Sequence, residues 1–174
     1  MTTKDIQLAV GASRVLAGHT CVCENVSSLL NAREMDVISV KNGKLYEYEV
    51  KISRQDFLAD KKKRKHLYTG ENGALIPDWN PNFFSYVCPE NLIRPEEVPG
   101  YAGLYYIIEG EMTLVKKPKL YNPHVHDLNK IEKKVIRVMQ ERNFLGGCRL
   151  TYENRLVEKR NREIAPELFK DSHK

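Results

Sequence analysis

The chain has 174 residues, 41% hydrophobic and 29% charged, enough for one domain with its own core and an expected α/β or α+β architecture. No run approaches the ~20 apolar residues of a membrane span, and the opening MTTKDIQLAV lacks the basic-then-apolar plan of a secretion signal, so a cytoplasmic protein with no membrane partner is expected. The net charge of +5 is uneven: residues 51–66 hold seven Lys/Arg against two Asp and residues 116–174 hold fifteen against eight acids, whereas 67–115 hold one Arg against seven, a pattern that suits a polyanion but that a solvated lysine-rich surface would also produce.

In chain order, residues 4–17 place Ile6, Ala9, Val10, Val15 and Leu16 on one helical face, with a stop supplied by Ala17-Gly18-His19. TCVCENVSS then reads as a short strand, and MDVISV as a β-branched one. Asn42-Gly43 follows, the pair that accepts positive φ at both central positions of a two-residue hairpin turn, so MDVISV and LYEYEVKI are expected to pair antiparallel. Ser53 with Asp56 three residues on has the form of a helix N-cap, predicting a helix that runs toward His66 with Phe57 and Leu58 as its apolar residues.

TGENGALIPDWNPN is a loop by composition, after which FFSYVCP and GLYYIIEG read as two buried strands. From residue 127, Leu128, Ile131, Val135, Val138 and Met139 form a helical stripe ended by Gly146-Gly147, and a second basic helix is expected over about 152–164, limited by Pro166. The order predicts a mixed central sheet flanked by helices over residues 1–115, with a basic helical extension over 116–174 packed on the same domain.

The strand YEYEVKIS raises a chemical question. Its alternation puts Tyr46, Tyr48, Val50 and Ile52 on one face, read as the core side, and Leu45, Glu47, Glu49 and Lys51 on the other. Charges on the wet face of a half-buried strand need no function. Asp36, however, begins the partner strand, so the hairpin brings two carboxylates, Asp36 and Glu49, within reach of one cation. Hard cations such as Mg²⁺ take carboxylate and backbone carbonyl oxygens, so the Val50 carbonyl would add to that partial shell. Lys51, two residues from Glu49 on the same face, is placed to orient a water or to stabilise charge on a phosphate. Glu47 falls outside this set, as an exposed neighbour or supporting acid.

Asp36 followed by Glu49-Val50-Lys51 resembles the D…(D/E)-x-K signature of the PD-(D/E)XK nuclease superfamily. The resemblance extends to its MmcB-like DNA-repair branch through Glu24, Arg33 to Val37, Glu49 to Ser53, and Asp56, Phe57, Asp60 and Lys62 in order, covering about residues 4–115. Met35 stands where the superfamily has Pro, and the first helix offers Asp5 and Gln7 in place of a glutamate.

The resemblance implies a restriction-endonuclease-like core and Mg²⁺- or Mn²⁺-dependent hydrolysis of DNA phosphodiesters. Asp36 and Glu49 would hold the metal with the Val50 carbonyl, Lys51 would address the water, and Glu24 would be a third acid, unless it is merely an exposed strand residue. Arg54, Gln55, Lys61, Lys62, Lys63, Arg64 and Lys65 would form a phosphate track along the following helix, whose other reading is a solvated face; helical spacing puts Lys63 and Arg64 within pairing reach of Asp60.

Trp79 could stack on an unpaired base or serve as a packing anchor. A zinc site built from Cys21, Cys23, Cys88, Cys148, His124 and His126 lacks the usual ligand spacing; Cys21 and Cys23 instead read as small strand packers, and the two histidines as surface residues. A non-catalytic DNA- or protein-binding module on the same fold, and a homodimer through the tail, are the further alternatives.

Overall fold

A computed structural model describes residues 1–27, 34–60 and 80–143. Helix α1 (Thr3–Leu16) is followed by strands β1 (Thr20–Ser27), β2 (Glu34–Lys41) and β3 (Lys44–Val50). Helix α2, described over Arg54–Asp60, leads to β4 (Phe83–Pro89), a short 3₁₀ turn (Pro95–Glu97), β5 (Gly103–Ile108) and β6 (Glu111–Lys116). The strands form one mixed six-stranded sheet in sequential order: β1/β2, β2/β3 and β5/β6 are antiparallel, and β3/β4 and β4/β5 parallel.

Local chemistry accounts for most of these elements. Thr2 and Asp5 form a reciprocal capping box at the start of α1, which satisfies two otherwise orphaned backbone donors. Asn42 and Gly43 have φ of 50° and 73°, the two-residue turn expected between β2 and β3. The Ser53 hydroxyl accepts the Asp56 N–H at 3.1 Å, so the predicted cap opens α2.

The sheet is buried on both sides. On one, Ile6 and Val10 of α1 pack against Val37, Tyr48, Val50, Val87, Tyr105 and Ile107, with Met112 of β6 at the margin. Because α1 touches both edge strands, β1 and β6, the sheet curls around that helix. On the other face Phe57 of α2 joins Phe84, Tyr86, Cys88, Leu104 and Tyr106, beneath a lid of Ile93, Val98, Tyr101 and Tyr121. Each such side chain contributes about 1.5–3 kcal/mol by leaving water.

Three buried asparagines secure the sheet's rear end. Asn82 accepts the Leu45 N–H through Oδ1 (2.7 Å) and donates through Nδ2 to the carbonyls of Asn122 (2.7 Å) and His124 (2.8 Å), while Asn122 donates to the Asn80 carbonyl (2.7 Å). Leu45 is thereby held through both backbone groups, its N–H by the Asn82 side chain and its carbonyl by the Asn82 N–H at 2.9 Å, just before β4 begins.

Several expectations are corrected. β6 has no counterpart among the strands expected from the sequence; its turn places Glu109 at φ 52° before Gly110 at 86°, and a glutamate in the left-handed region is a poor sequence signal for a hairpin. Val15 and Leu16 of α1, Ile52 after β3 and Leu58 of α2 are exposed, because the packed faces run through Ile6, Val10, Val50 and Phe57 instead, and Met139 is exposed as well. His126 is buried rather than a surface residue.

The chain divides into compact units Met1–Val135 and Ile136–Lys174, so a boundary after 115 would cut β6 before its last residue. Residues 128–135 of the first unit are helical, and so are residues 136–143 of the second. The helix expected over 152–164 lies outside the described residues. No helix among the described residues is long and apolar enough to cross a membrane.

Candidate active site

The β2/β3 register pairs Val37 with Tyr48 and Ile38 with Glu47; continued by one residue, it sets Asp36 opposite Glu49. Residues facing each other across an antiparallel pair share a side of the sheet, so Asp36, Glu47 and Glu49 lie on the face opposite α1. The Asp36 carboxylate accepts the Val50 N–H at 2.8 Å, which orients it toward the end of β3. It is partly exposed, whereas Glu49 and Lys51 are buried.

The charged face of β3 is therefore not the solvent face. Leu45 and Glu47 are fully buried, and Glu49 and Lys51 retain only 7% and 3% of their side-chain exposure. The reason is the parallel pairing with β4, which places Phe84 beside Glu47 and Tyr86 beside Glu49, with Phe57 of α2 set edge-on to the Tyr86 ring in the same buried cluster. Glu47, read as an exposed neighbour or a supporting acid, is buried with them, which removes the first of those readings.

Lys51 is surrounded by acids. Its ammonium donates to Glu49 Oε1 at 2.9 Å and to Asp56 Oδ1 at 3.4 Å, and ion-pairs with Asp60 Oδ1 at 3.4 Å. Three carboxylates thus surround one ammonium, two of them buried and two of them accepting its N–H donors. The Tyr86 hydroxyl donates to the other Asp60 oxygen at 2.9 Å. Burial, then the adjacent Asp60 charge, pushes the Tyr86 phenol far up, so it remains a donor. Asp56 and Asp60, four residues apart, share one side of α2 by helical spacing; Tyr86 carries no local signal and enters only through the β3/β4 pairing.

Glu24 does not join this group. It pairs with Val37 in the β1/β2 ladder, on the α1 side, where it salt-bridges Lys4. The residue that stands opposite Asp36 is Asn25, whose φ of 45° accompanies a hydrogen bond from Gln7 Nε2 to its Oδ1 at 2.7 Å. Gln7 also reaches the Asp36 carbonyl (3.4 Å), so α1 supports the backbone of the site through a buried amide. Asp5 is occupied with capping.

Arg54 departs from the phosphate-track expectation. Its guanidinium forms a two-pronged pair with Glu97 (2.6 and 2.7 Å) and donates to the Leu92 carbonyl, tying α2 to the segment after β4. Those bonds, with the Arg94 N–H, hold the Glu97 carboxyl down at about 2. Gln55 is exposed on the first turn of α2. Lys61, Lys62, Lys63, Arg64, Lys65, Trp79 and Cys148 lie outside the described residues. Cys23 and Cys88 are buried, Cys88 among the aromatic residues under α2.

Among the described residues no group of three or more His, Cys, Asp or Glu converges to hold a metal ion. A smaller oxygen set is compatible with Mg²⁺ or Mn²⁺, which are commonly held by one or two carboxylates with water completing the shell. Asp36 and Glu49, opposed across the ladder with the Val50 backbone between them, are hard donors of that kind.

No protein-family model and no curated protein matches the chain. Among solved structures, a protein of unknown function from Silicibacter pomeroyi is similar in fold, with a TM-score of 0.54 at 15% identity over 97% of this chain and 94% of that one. Similarity at that identity extends to the fold alone.

Proposed function

We propose that this protein is a Mg²⁺- or Mn²⁺-dependent nuclease that hydrolyses DNA phosphodiester bonds. The observation that carries the reading is the placement of Asp36 opposite Glu49, with Lys51 next on the same face at the carboxyl end of β3. The D…E-x-K resemblance requires that juxtaposition, and a chance match of residue types would not. In open sheets with parallel strands, the carboxyl ends are also where ligands are received.

In this reading Asp36 and Glu49 hold the cation, Asp36 being aimed by the Val50 N–H. A bound divalent ion would supply Lewis acidity, lowering the pKa of a water and offsetting negative charge at the scissile phosphate. Lys51 presents an ammonium, held at a fixed position by its acidic partners, to the developing charge on the phosphate oxygens. Tyr86 and Asp60 form the buried wall behind it.

Purified protein incubated with single-stranded, duplex and branched DNA tests the proposal. Cleavage is expected with Mn²⁺ or Mg²⁺, none in chelator, and none by Asp36→Ala or Glu49→Gln. Absence of metal-dependent cleavage, with salt-sensitive DNA binding that survives replacement of Asp36, Glu49 and Lys51, would instead identify a non-catalytic DNA-binding module.

A further inference from the structure

We infer that Asp60 is a positioning residue whose charge shares the Lys51 ammonium with Glu49 and so weakens the ammonium's hold on that carboxylate, and that the Tyr86 hydroxyl holds Asp60 in the orientation that does so. The inference rests on the reading of Asp36 and Glu49 as cation-holding carboxylates and adds what sets their affinity.

A lysine beside a metal-binding carboxylate has two opposing effects. It supplies positive charge for the phosphate, but it also competes with the cation for the same oxygens. In this protein Lys51 Nζ is 2.9 Å from Glu49 and 3.4 Å from Asp60, with both acids buried, so the ammonium is shared by two carboxylates in a low-dielectric setting. Asp56, half exposed, accepts a hydrogen bond from the ammonium at the same 3.4 Å, but water screens its charge more than that of buried Asp60.

Asp60 is suited to the task by its own support. It is fully buried at the last described position of α2, and Tyr86 Oη donates to its Oδ2 at 2.9 Å while its Oδ1 faces Lys51. Tyr86 stands beside Glu49 in the β3/β4 ladder, so one strand pair fixes both ends of the chain of contacts Tyr86–Asp60–Lys51–Glu49. With the Asp60 charge removed, the ammonium, already 2.9 Å from Glu49, pairs with that carboxylate more strongly, and a divalent cation displaces it at greater cost.

Mn²⁺ binding, followed by electron paramagnetic resonance of the free ion at one fixed pH, tests this in a double-mutant cycle. Asp60→Asn is expected to weaken Mn²⁺ binding about tenfold, within the range for groups that support metal ligands. Tyr86→Phe, which keeps the charge and the ring, is expected to weaken it about threefold, the loss of one hydrogen bond.

The decisive arm is Lys51→Met. In that background Asp60→Asn is expected to change Mn²⁺ binding by less than about twofold, because the competing ammonium is gone. An undiminished tenfold loss in the Lys51→Met background would overturn the inference and make Asp60 a direct electrostatic contributor. If Lys51→Met does not fold, equal Mn²⁺ affinity of Tyr86→Phe and the parent protein overturns the inference, and the threefold loss supports it. A parent protein that binds no Mn²⁺ would sink the nuclease reading, and this inference with it, whereas a parent that binds normally and fails the cycle would sink this inference alone.

Discussion

Asp36 Oδ2 accepts the backbone N–H of Val50 at 2.8 Å, so one carboxylate of the candidate site is hydrogen-bonded to the strand that carries the other. The bond gives Asp36 a structural duty beside the chemical one proposed for it, and two substitutions separate them. Asp36→Asn can still accept from Val50 and is expected to keep most of the parent stability while losing Mn²⁺ binding and DNA cleavage. Asp36→Ala loses both, with a destabilisation of about 1.5–3 kcal/mol for the missing charge-assisted bond. Thermal unfolding beside a Mn²⁺ titration measures the pair; equal metal binding by Asp36→Asn and the parent would remove Asp36 from the site.

Lys51 is buried among acids, and truncating one partner of a buried ionic group strands the others. Lys51→Met is expected to cost about 3–5 kcal/mol in urea unfolding. The Lys51→Met, Asp60→Asn pair should be more stable than Lys51→Met alone, since it removes one stranded charge. Where the single variant folds, cleavage should fall about 10²–10³-fold, the usual loss of one group that stabilises transition-state charge. Cleavage at the parent rate would exclude Lys51 from the chemistry.

Gly103 opens β5 against a wall. A Cβ placed there would lie 2.7 Å from Ser85 Oγ, 2.8 Å from Pro118 Cδ and 3.0 Å from the Pro118 nitrogen. The serine can rotate, but a proline ring and backbone cannot, so Gly103→Ala is expected to destabilise the fold by about 1–3 kcal/mol through overpacking. An unchanged unfolding midpoint would show that the segment after β6 yields more easily than its packing implies.

His19 links stability to pH. Burial, with Arg14 and Lys41 nearby, pulls its value from 6.5 down to about 4, and its Nδ1 lies 2.8 Å from Ser39 Oγ. Between those two values the unfolded chain binds more protons than the folded one, so stability must fall as pH drops through that window. The contribution is fully present above 6.5 and gone by about 4. Replacing His19 by Gln should flatten this part of the profile, read as the difference between parent and variant in urea unfolding at about pH 7.5 and about pH 5. A parent-minus-variant difference that does not change with pH would mean His19 titrates alike in both states.

How much of the site was legible in advance depends on the reach of each signal. Asp36, Glu49 and Lys51 fall together because Asn42-Gly43 is a local instruction: a two-residue turn sets the register, and the register sets which residues oppose. Ser53 as a cap is local in the same way. Glu24 belongs to the other class, since a strand has period two and a one-residue difference in the β1/β2 register exchanges its faces; the pairing with Val37 puts Glu24 on the α1 side. Arg54 had the composition of a phosphate ligand, yet Glu97, far along the chain, claims it.

The amino-acid sequence by itself determined the hairpin, the helix starts, the mixed character of the sheet and the trio at the end of β3, because turn chemistry, capping and periodicity act within a few residues. Tertiary structure alone decided that both faces of β3 are covered, that Glu47 is buried, that β6 completes the sheet and that Tyr86 stands behind Asp60. Those outcomes depend on which distant strand lies beside which. That choice is made by the summed burial of many side chains against the entropy of closing the loops between them, a balance no single stretch of residues records.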